Sequence, residues 1–202
     1  MARPTKYCRE EMLEKATALF WEKGYRGVSI KDLVNETGVL AGSIYGCFGS
    51  KDGIFLECVR HYADKSAAMY RRAEEAATPL GEIEALFDGL LETALSDESR
   101  RGCFVVNALL EIAPDRPEIS KALHECTSYS EKWLLARIEA AKAAGELSES
   151  VDSEDLATCL AGALLGIQMK TRGGESAERV RGYARAMLAA LLGPARPDAV
   201  GA

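Results

Sequence analysis

Val28–Lys51, VSIKDLVNETGVLAGSIYGCFGSK, is the stretch whose reading decides the fold. Ser29 stands where a helix needs a side-chain acceptor for its first orphan N–H groups. Ile30, Leu33 and Val34 follow at the spacing of one helical face. Gly38 supplies the left-handed residue on which helices commonly stop. Val39, Ile44 and Phe48 give a second short helix its own inward stripe, and Ser50-Lys51-Asp52 opens a third. Two short helices joined by a tight glycine-bearing turn form the helix-turn-helix plan, whose second helix enters the DNA major groove.

Outward from this stretch the chain reads as all-α. Ala, Leu, Glu, Lys and Arg dominate its 202 residues, and alternating β-branched runs are missing. A first helix is expected from a Thr5 cap to Lys23-Gly24, preceded by a short basic arm at Arg3 and Lys6. The helix opened by Ser50 is expected to run to about Thr78. Pro79 starts another, and Gly102–Leu110 reads as a short buried helix. Pro114 and Pro117 bracket a turn before a long helix from Glu118 to Gly145. Asp152 or Ser153 caps the next helix, Gly173-Gly174 breaks the chain, and Ser176 opens the last. The expected organisation is a DNA-binding domain over 1–50, a helical signal-sensing and dimerisation domain over 51–194, and a disordered tail over 195–202.

Composition excludes several classes. No apolar run reaches the roughly 18–20 residues that cross a membrane, and MARPTKYCREE lacks the apolar core of an export signal. No membrane partner is expected, and the expected compartment is the cytoplasm. Cys8, Cys47, Cys58, Cys103, Cys126 and Cys159 show no CxxC spacing, so neither a disulfide framework nor a zinc knuckle is read from them. His61 and His124 have no metal-ligand spacing. No phosphate-cradling loop or nucleophile–base pair is recognisable, so no metal, cofactor or catalytic residue is assigned. The net charge of −6 is unevenly spread. Residues 1–51 carry eight basic and six acidic side chains, and the remainder 17 and 25. A local basic face is what phosphate binding requires.

Leu19-Phe20, Gly24-Tyr25, Val28-Ser29-Ile30, Leu33-Val34, Gly38-Val39, Gly42-Ser43-Ile44-Tyr45, Phe48, Lys51 and Ile54-Phe55 together resemble the N-terminal domain of TetR-family transcriptional regulators. The resemblance implies a three-helix head with a helix-turn-helix, a larger helical body and about nine helices in all. It also implies a homodimer acting on double-stranded operator DNA, usually as a repressor. In such a head Ser29, Ser43, Tyr45 and Lys51 fall at positions that frequently contact DNA, and Lys31, beside Ser29 on the first helix, is read as a further candidate; packing between helices is the other reading of Tyr45. Leu40, Ala41, Gly42 and Gly46 complete the outward face of the reading helix. Many relatives carry lysine at the position of Ala41 and a histidine or aromatic residue at Gly46 or Cys47. Between Val39 and Phe48 there is no Arg, Lys, Asn or Gln, so the usual bidentate readers of guanine and adenine are missing. Thymine methyl contacts, close backbone approach and DNA shape would have to supply selectivity.

The signal is less legible. Gly102-Cys103-Phe104, following Arg100-Arg101 and combined with Lys170, is similar to the NemR-type regulators of the family, which implies Cys103 and Lys170 as a thiol sensor of reactive species. The competing reading is a small buried hydrophobe. A reversible apolar or aromatic small-molecule effector is the alternative input. Tyr62, Met69, Phe87, Phe104, Asn107, His124, Tyr129 and Trp133 are then the candidate pocket, although such a stripe is equally the signature of plain core. Leu160, Ala163, Leu164, Ile167, Val180, Tyr183, Met187 and Leu191 form apolar faces on the last two helices. They need a partner, within the subunit or, as the resemblance implies, across a dimer. A helix-turn-helix serving protein–protein contact is the competing function.

Overall fold

A computed structural model describes residues 6–112 and 116–197, which form nine α-helices and no strand among the described residues. These are α1 (Lys6–Gly27), α2 (Ile30–Thr37), α3 (Ala41–Phe48), α4 (Lys51–Ala73), α5 (Pro79–Ser96), α6 (Phe104–Glu111), α7 (Pro117–Ala143), α8 (Ser153–Arg172) and α9 (Ala177–Leu192). The expected cap at Thr5, Arg3 of the basic arm and Pro114 lie outside the described residues. Elsewhere the caps act as the sequence indicates. The Asp152 carboxylate accepts from the N–H groups of Glu154 and Asp155, both at 3.0 Å, and Ser176 accepts from Arg179 at 3.3 Å. One boundary moves. α4 ends at Ala73 and not near Thr78, because Thr78 is extended (φ −139°) to cap α5 in front of Pro79. A residue preceding proline is disfavoured in the helical region.

The chain forms two compact units whose limits differ from the expected division at residue 50. The first is Met1–Ser66 together with Cys103–Cys126. Its core gathers Phe20, Leu33, Ile44, Phe55, Phe104, Ile119 and Leu123, all nearly inaccessible. Phe55 stands edge-on to Phe20 at 5.0 Å between ring centroids and tilts against Phe104 at 5.5 Å. The physical reason for the shifted limit is area. One long and two short helices offer too little apolar surface to close a core, so the start of α4, all of α6 and the start of α7 complete it.

The second unit is Ala67–Gly102 with Thr127–Ala202. Ile83, Leu86, Phe87, Leu134, Ile138, Leu160, Ile167 and Val180 form its centre. Burying each such side chain stabilises by roughly 1.5–3 kcal/mol. α8 and α9 approach closely at Gly166, where a Cβ would stand 2.1 Å from the Tyr183 hydroxyl. Two further expectations are altered within this unit. Leu160, Ala163, Leu164 and Ile167 on α8 and Val180 on α9 are buried in the subunit's own core, because α8 and α9 pack onto α5 and onto each other. Tyr183, Met187 and Leu191 are half-buried against the same core. Of the tail, Ala195 is buried and its carbonyl accepts from the Ser148 N–H at 2.8 Å, while 198–202 lie outside the described residues.

Candidate nucleic-acid interface

The first helix of the motif is held at both ends by short-range bonds. The Ser29 hydroxyl accepts from the Asp32 N–H at 3.2 Å, and the Asp32 carboxylate accepts from the Ser29 N–H at 2.8 Å, a reciprocal capping box. The hydrogen bonds from the Ser29 side chain and backbone hold the Asp32 carboxyl below its ordinary value. At the other end Gly38 is left-handed (φ 72°) and donates to the Val34 carbonyl at 2.9 Å. Thr37 sends its hydroxyl back to the Leu33 carbonyl at 2.6 Å and accepts from the Val39 N–H at 3.2 Å. The turn into α3 is thereby specified by side chains within three or four residues of it.

α3 is anchored by one fully buried side chain, Ile44, and by its exit. Gly49 (φ 74°) stops the helix, and the Ser50 hydroxyl accepts from the Gly53 N–H at 3.1 Å to start α4. A Cβ at Gly53 would lie 1.9 Å from the Phe48 carbonyl oxygen, so the end of α3 rests directly on the backbone of α4. The outward face carries Leu40, Gly42, Ser43, Tyr45 and Gly46, all exposed, with Ala41 half-buried. Leu40 is 73% and Tyr45 50% accessible, an unusual exposure for large apolar groups and one that a packed structural role for Tyr45 does not need. Around Gly42 and Gly46 there is nothing within 4 Å of where a side chain would begin. The helix therefore presents bare backbone flanked by a leucine, a hydroxyl and a phenol. Ser29 and Lys31 are exposed beside it.

Lys51, at one of the positions expected to contact DNA, is engaged within its own head. It is half-buried with its ammonium 4.3 Å from the centre of the Tyr25 ring. Burial, and then the nearby Arg116 guanidinium, lower its pKa. Arg116 lies over the same ring at 5.0 Å and pairs with Asp52, which also accepts the Tyr25 hydroxyl. Burial and the Asp52 carboxylate push the Tyr25 phenol up to about 12, so it donates at any working pH. Arg116 and Glu111 escaped the sequence reading because their partners are 64 and 86 residues away. Gly24, beside Tyr25 in the quoted family pattern, was the available hint.

The sensor and pocket candidates fall in both compact units. Cys103 is the N-cap residue of α6, half-buried, and its sulfur accepts from the Tyr62 hydroxyl at 3.6 Å. Lys170 belongs to the other unit, paired with Glu175 at 2.9 Å and 5.1 Å from the Tyr183 ring centre. The guanidinium groups expected to favour a Cys103 thiolate are engaged elsewhere. Arg100 donates to the Glu175 carbonyl at 3.0 Å and Arg101 pairs with Asp97 at 3.3 Å. Of the pocket candidates, Tyr62, Phe104, Asn107 and His124 are in the first unit and Met69, Phe87, Tyr129 and Trp133 in the second. Phe87 and Phe104 are core, His124 and Tyr129 are exposed, and Trp133 donates to Glu74 at 2.8 Å.

Residues 12–58 match the model of bacterial regulatory proteins of the tetR family, and 79–187 match the tetracyclin repressor-like C-terminal domain. The chain belongs to the TetR family. Among curated TetR-family relatives, the HTH-type transcriptional repressor ComR of Escherichia coli K12 is 29% identical over 181 residues, 88% of this chain and 86% of its own length. A cysteine-substituted CifR, solved with 26-bp double-strand operator DNA, is 30% identical, covers 93% of this chain and 99% of its own, and has a TM-score of 0.85. Reduced E. coli NemR superposes with a TM-score of 0.76 at 20% identity, a likeness of TetR fold alone. Among the described residues no cluster of three His, Cys, Asp or Glu side chains is placed to hold a metal, and no helix is long and apolar enough to cross a membrane.

Proposed function

We propose that this TetR-family chain is a transcriptional repressor that binds double-stranded operator DNA in the cytoplasm as a homodimer, with no catalytic activity of its own. The observation that carries this reading is the open face of α3. Leu40 and Tyr45 are exposed, and bare backbone lies at Gly42 and Gly46, on a helix anchored by the buried Ile44 and by its exit onto α4. Large apolar groups held in water on a rigid small-residue helix suit a groove wall with thymine methyls. Ser29, Lys31, Ser43 and Lys51 supply hydroxyls and charge for phosphates. The named repressors among its relatives support the direction of control.

The dimer surface we assign is the remaining outward face of α8, where Leu165 (41%) and Met169 (63%) are exposed one turn apart. An effector releases the DNA, either a small apolar molecule or a reactive species that modifies Cys103. Gel-shift titration against the chain's own upstream region tests the function. A sequence-preferring complex that weakens steeply with salt is expected. Its absence with every fragment leaves the protein-contact reading of the motif. For the effector, hypochlorite or N-ethylmaleimide is applied to the DNA complex of wild type and Cys103→Ser. Release of the wild type alone assigns the thiol; equal behaviour assigns Cys103 to structure.

A further inference from the structure

α1 is interrupted at Gly24 (φ 74°, ψ 166°), which leaves the next backbone N–H groups without helical acceptors. Glu111, the last residue of α6, fills that gap. One carboxylate oxygen accepts from the Tyr25 N–H at 2.8 Å and the other from the Arg26 N–H at 2.7 Å. Successive N–H groups converging on one carboxylate make a charge-assisted bond pair stronger than neutral ones. The fit is tight, since a Cβ at Gly24 would stand 2.6 Å from the same carboxylate. Residues 25–29 are the entrance to the helix-turn-helix, with Val28 buried and Ser29 capping α2.

The exit is held from the same side. Asp52, just beyond the Gly49 stop, takes both the Tyr25 hydroxyl and the guanidinium of Arg116, which directly precedes α7. Lys51 and Arg116 both lie on the Tyr25 ring. The two connections that bound the reading helices are thus gripped by residues from α6 and the approach to α7, within one compact unit.

We propose that Glu111 and Arg116 are positioning residues for DNA recognition: they lock the entrance and exit of the helix-turn-helix around Tyr25 and so set the angle at which α3 is presented. Neither touches DNA. The inference rests on the operator-binding reading above. A two-headed reader recognises half-sites at one spacing only if each head is held at a fixed angle. Loosening the lock therefore costs spacing selectivity more than phosphate contact.

The test uses the full-length protein and duplexes cut from its own upstream region once footprinting has located the site. The native half-site spacing is compared with spacings altered by one and two base pairs, each over a salt series. Glu111→Gln keeps the shape of the side chain but presents one acceptor oxygen to two N–H groups; Arg116→Gln leaves Asp52 to Tyr25 alone. Circular dichroism at the assay temperature checks that each variant is folded, and exposed Arg116 provides a variant that does not disturb the core. Glu111→Gln is expected to lose about tenfold in affinity for the native spacing, the cost of one unsatisfied bond, and Arg116→Gln about threefold, since its pair with Asp52 is solvent-exposed. They should lose far less at altered spacings, so that the selectivity ratio shrinks while the slope of affinity against salt stays that of wild type. An unchanged selectivity ratio in both folded variants overturns the proposal, whatever their stability. So does an Arg116→Gln salt slope reduced by about one with selectivity intact, which would make Arg116 a phosphate contact. Failure of the wild type itself to bind any duplex overturns the operator reading, and is seen before any variant is compared.

Discussion

The outward face of α3 and the junction around Tyr25 are built on opposite principles. α3 presents a leucine, a phenol, a serine and two bare glycines, with no charged side chain between Val39 and Phe48. The Tyr25 junction concentrates Lys51, Asp52, Glu111 and Arg116 on one aromatic ring and its backbone. On the proposed reading, charge in this head holds α3 and shape does the reading. An uncharged helix discriminates bases by methyl contacts and groove fit, which are sensitive to angle and distance. A tightly fixed presentation compensates for weak individual contacts.

The largest effects that sharpen this contrast come from the scaffold beneath α3. Ile44→Ala, at a fully buried site, should destabilise by about 2–5 kcal/mol in urea unfolding. Gly53→Ala belongs in the same class, since its Cβ meets backbone at 1.9 Å and cannot be relieved by a rotamer change. Strain of about 1–3 kcal/mol and a lowered Tm are expected. A wild-type Tm for either variant would break the claim that the reader is rigidly mounted.

Gly46→Ala is the sharper test of the reading face. Nothing lies within 4 Å of the added Cβ, and alanine is favoured over glycine inside a helix by roughly 0.5–1 kcal/mol. Stability should rise while operator affinity falls, because the methyl group keeps the helix backbone off the groove wall. If affinity rises with stability, the bare backbone has no part in recognition. Lys31→Ala, an exposed cation outside the junction, should weaken binding evenly across sequences and lower the salt slope by about one. The smallest effect is that of the capping box. Hydrogen bonds from Ser29 hold the Asp32 carboxyl below its ordinary 3.8, so its contribution is complete above that value and is lost as pH falls through the lower folded-state value. The Tm gap between wild type and Asp32→Asn should therefore be present near neutral pH and close in acid.

The sequence alone determined what depends on near neighbours. Ser29, Asp32, Thr37 and Gly38 act through partners three or four positions away, and the cap-and-stop chemistry of α8 and α9 is equally local. Helix periodicity therefore marked the nine elements and the outward residues of α3. It also marked the faces of α8 and α9 as apolar, but not which neighbour each face meets. Leu160, Ala163 and Ile167 pack into their own subunit, and Leu165 and Met169 are the residues left outside. Only the tertiary structure settled that rotation, because an apolar stripe states a need for burial without naming the partner. It alone placed α6 in the same compact unit as the reading head and brought Glu111 and Arg116 to Tyr25. Bonds spanning 64 and 86 residues leave no periodic trace, since their spacing is set by the packing of whole helices and not by the pitch of one.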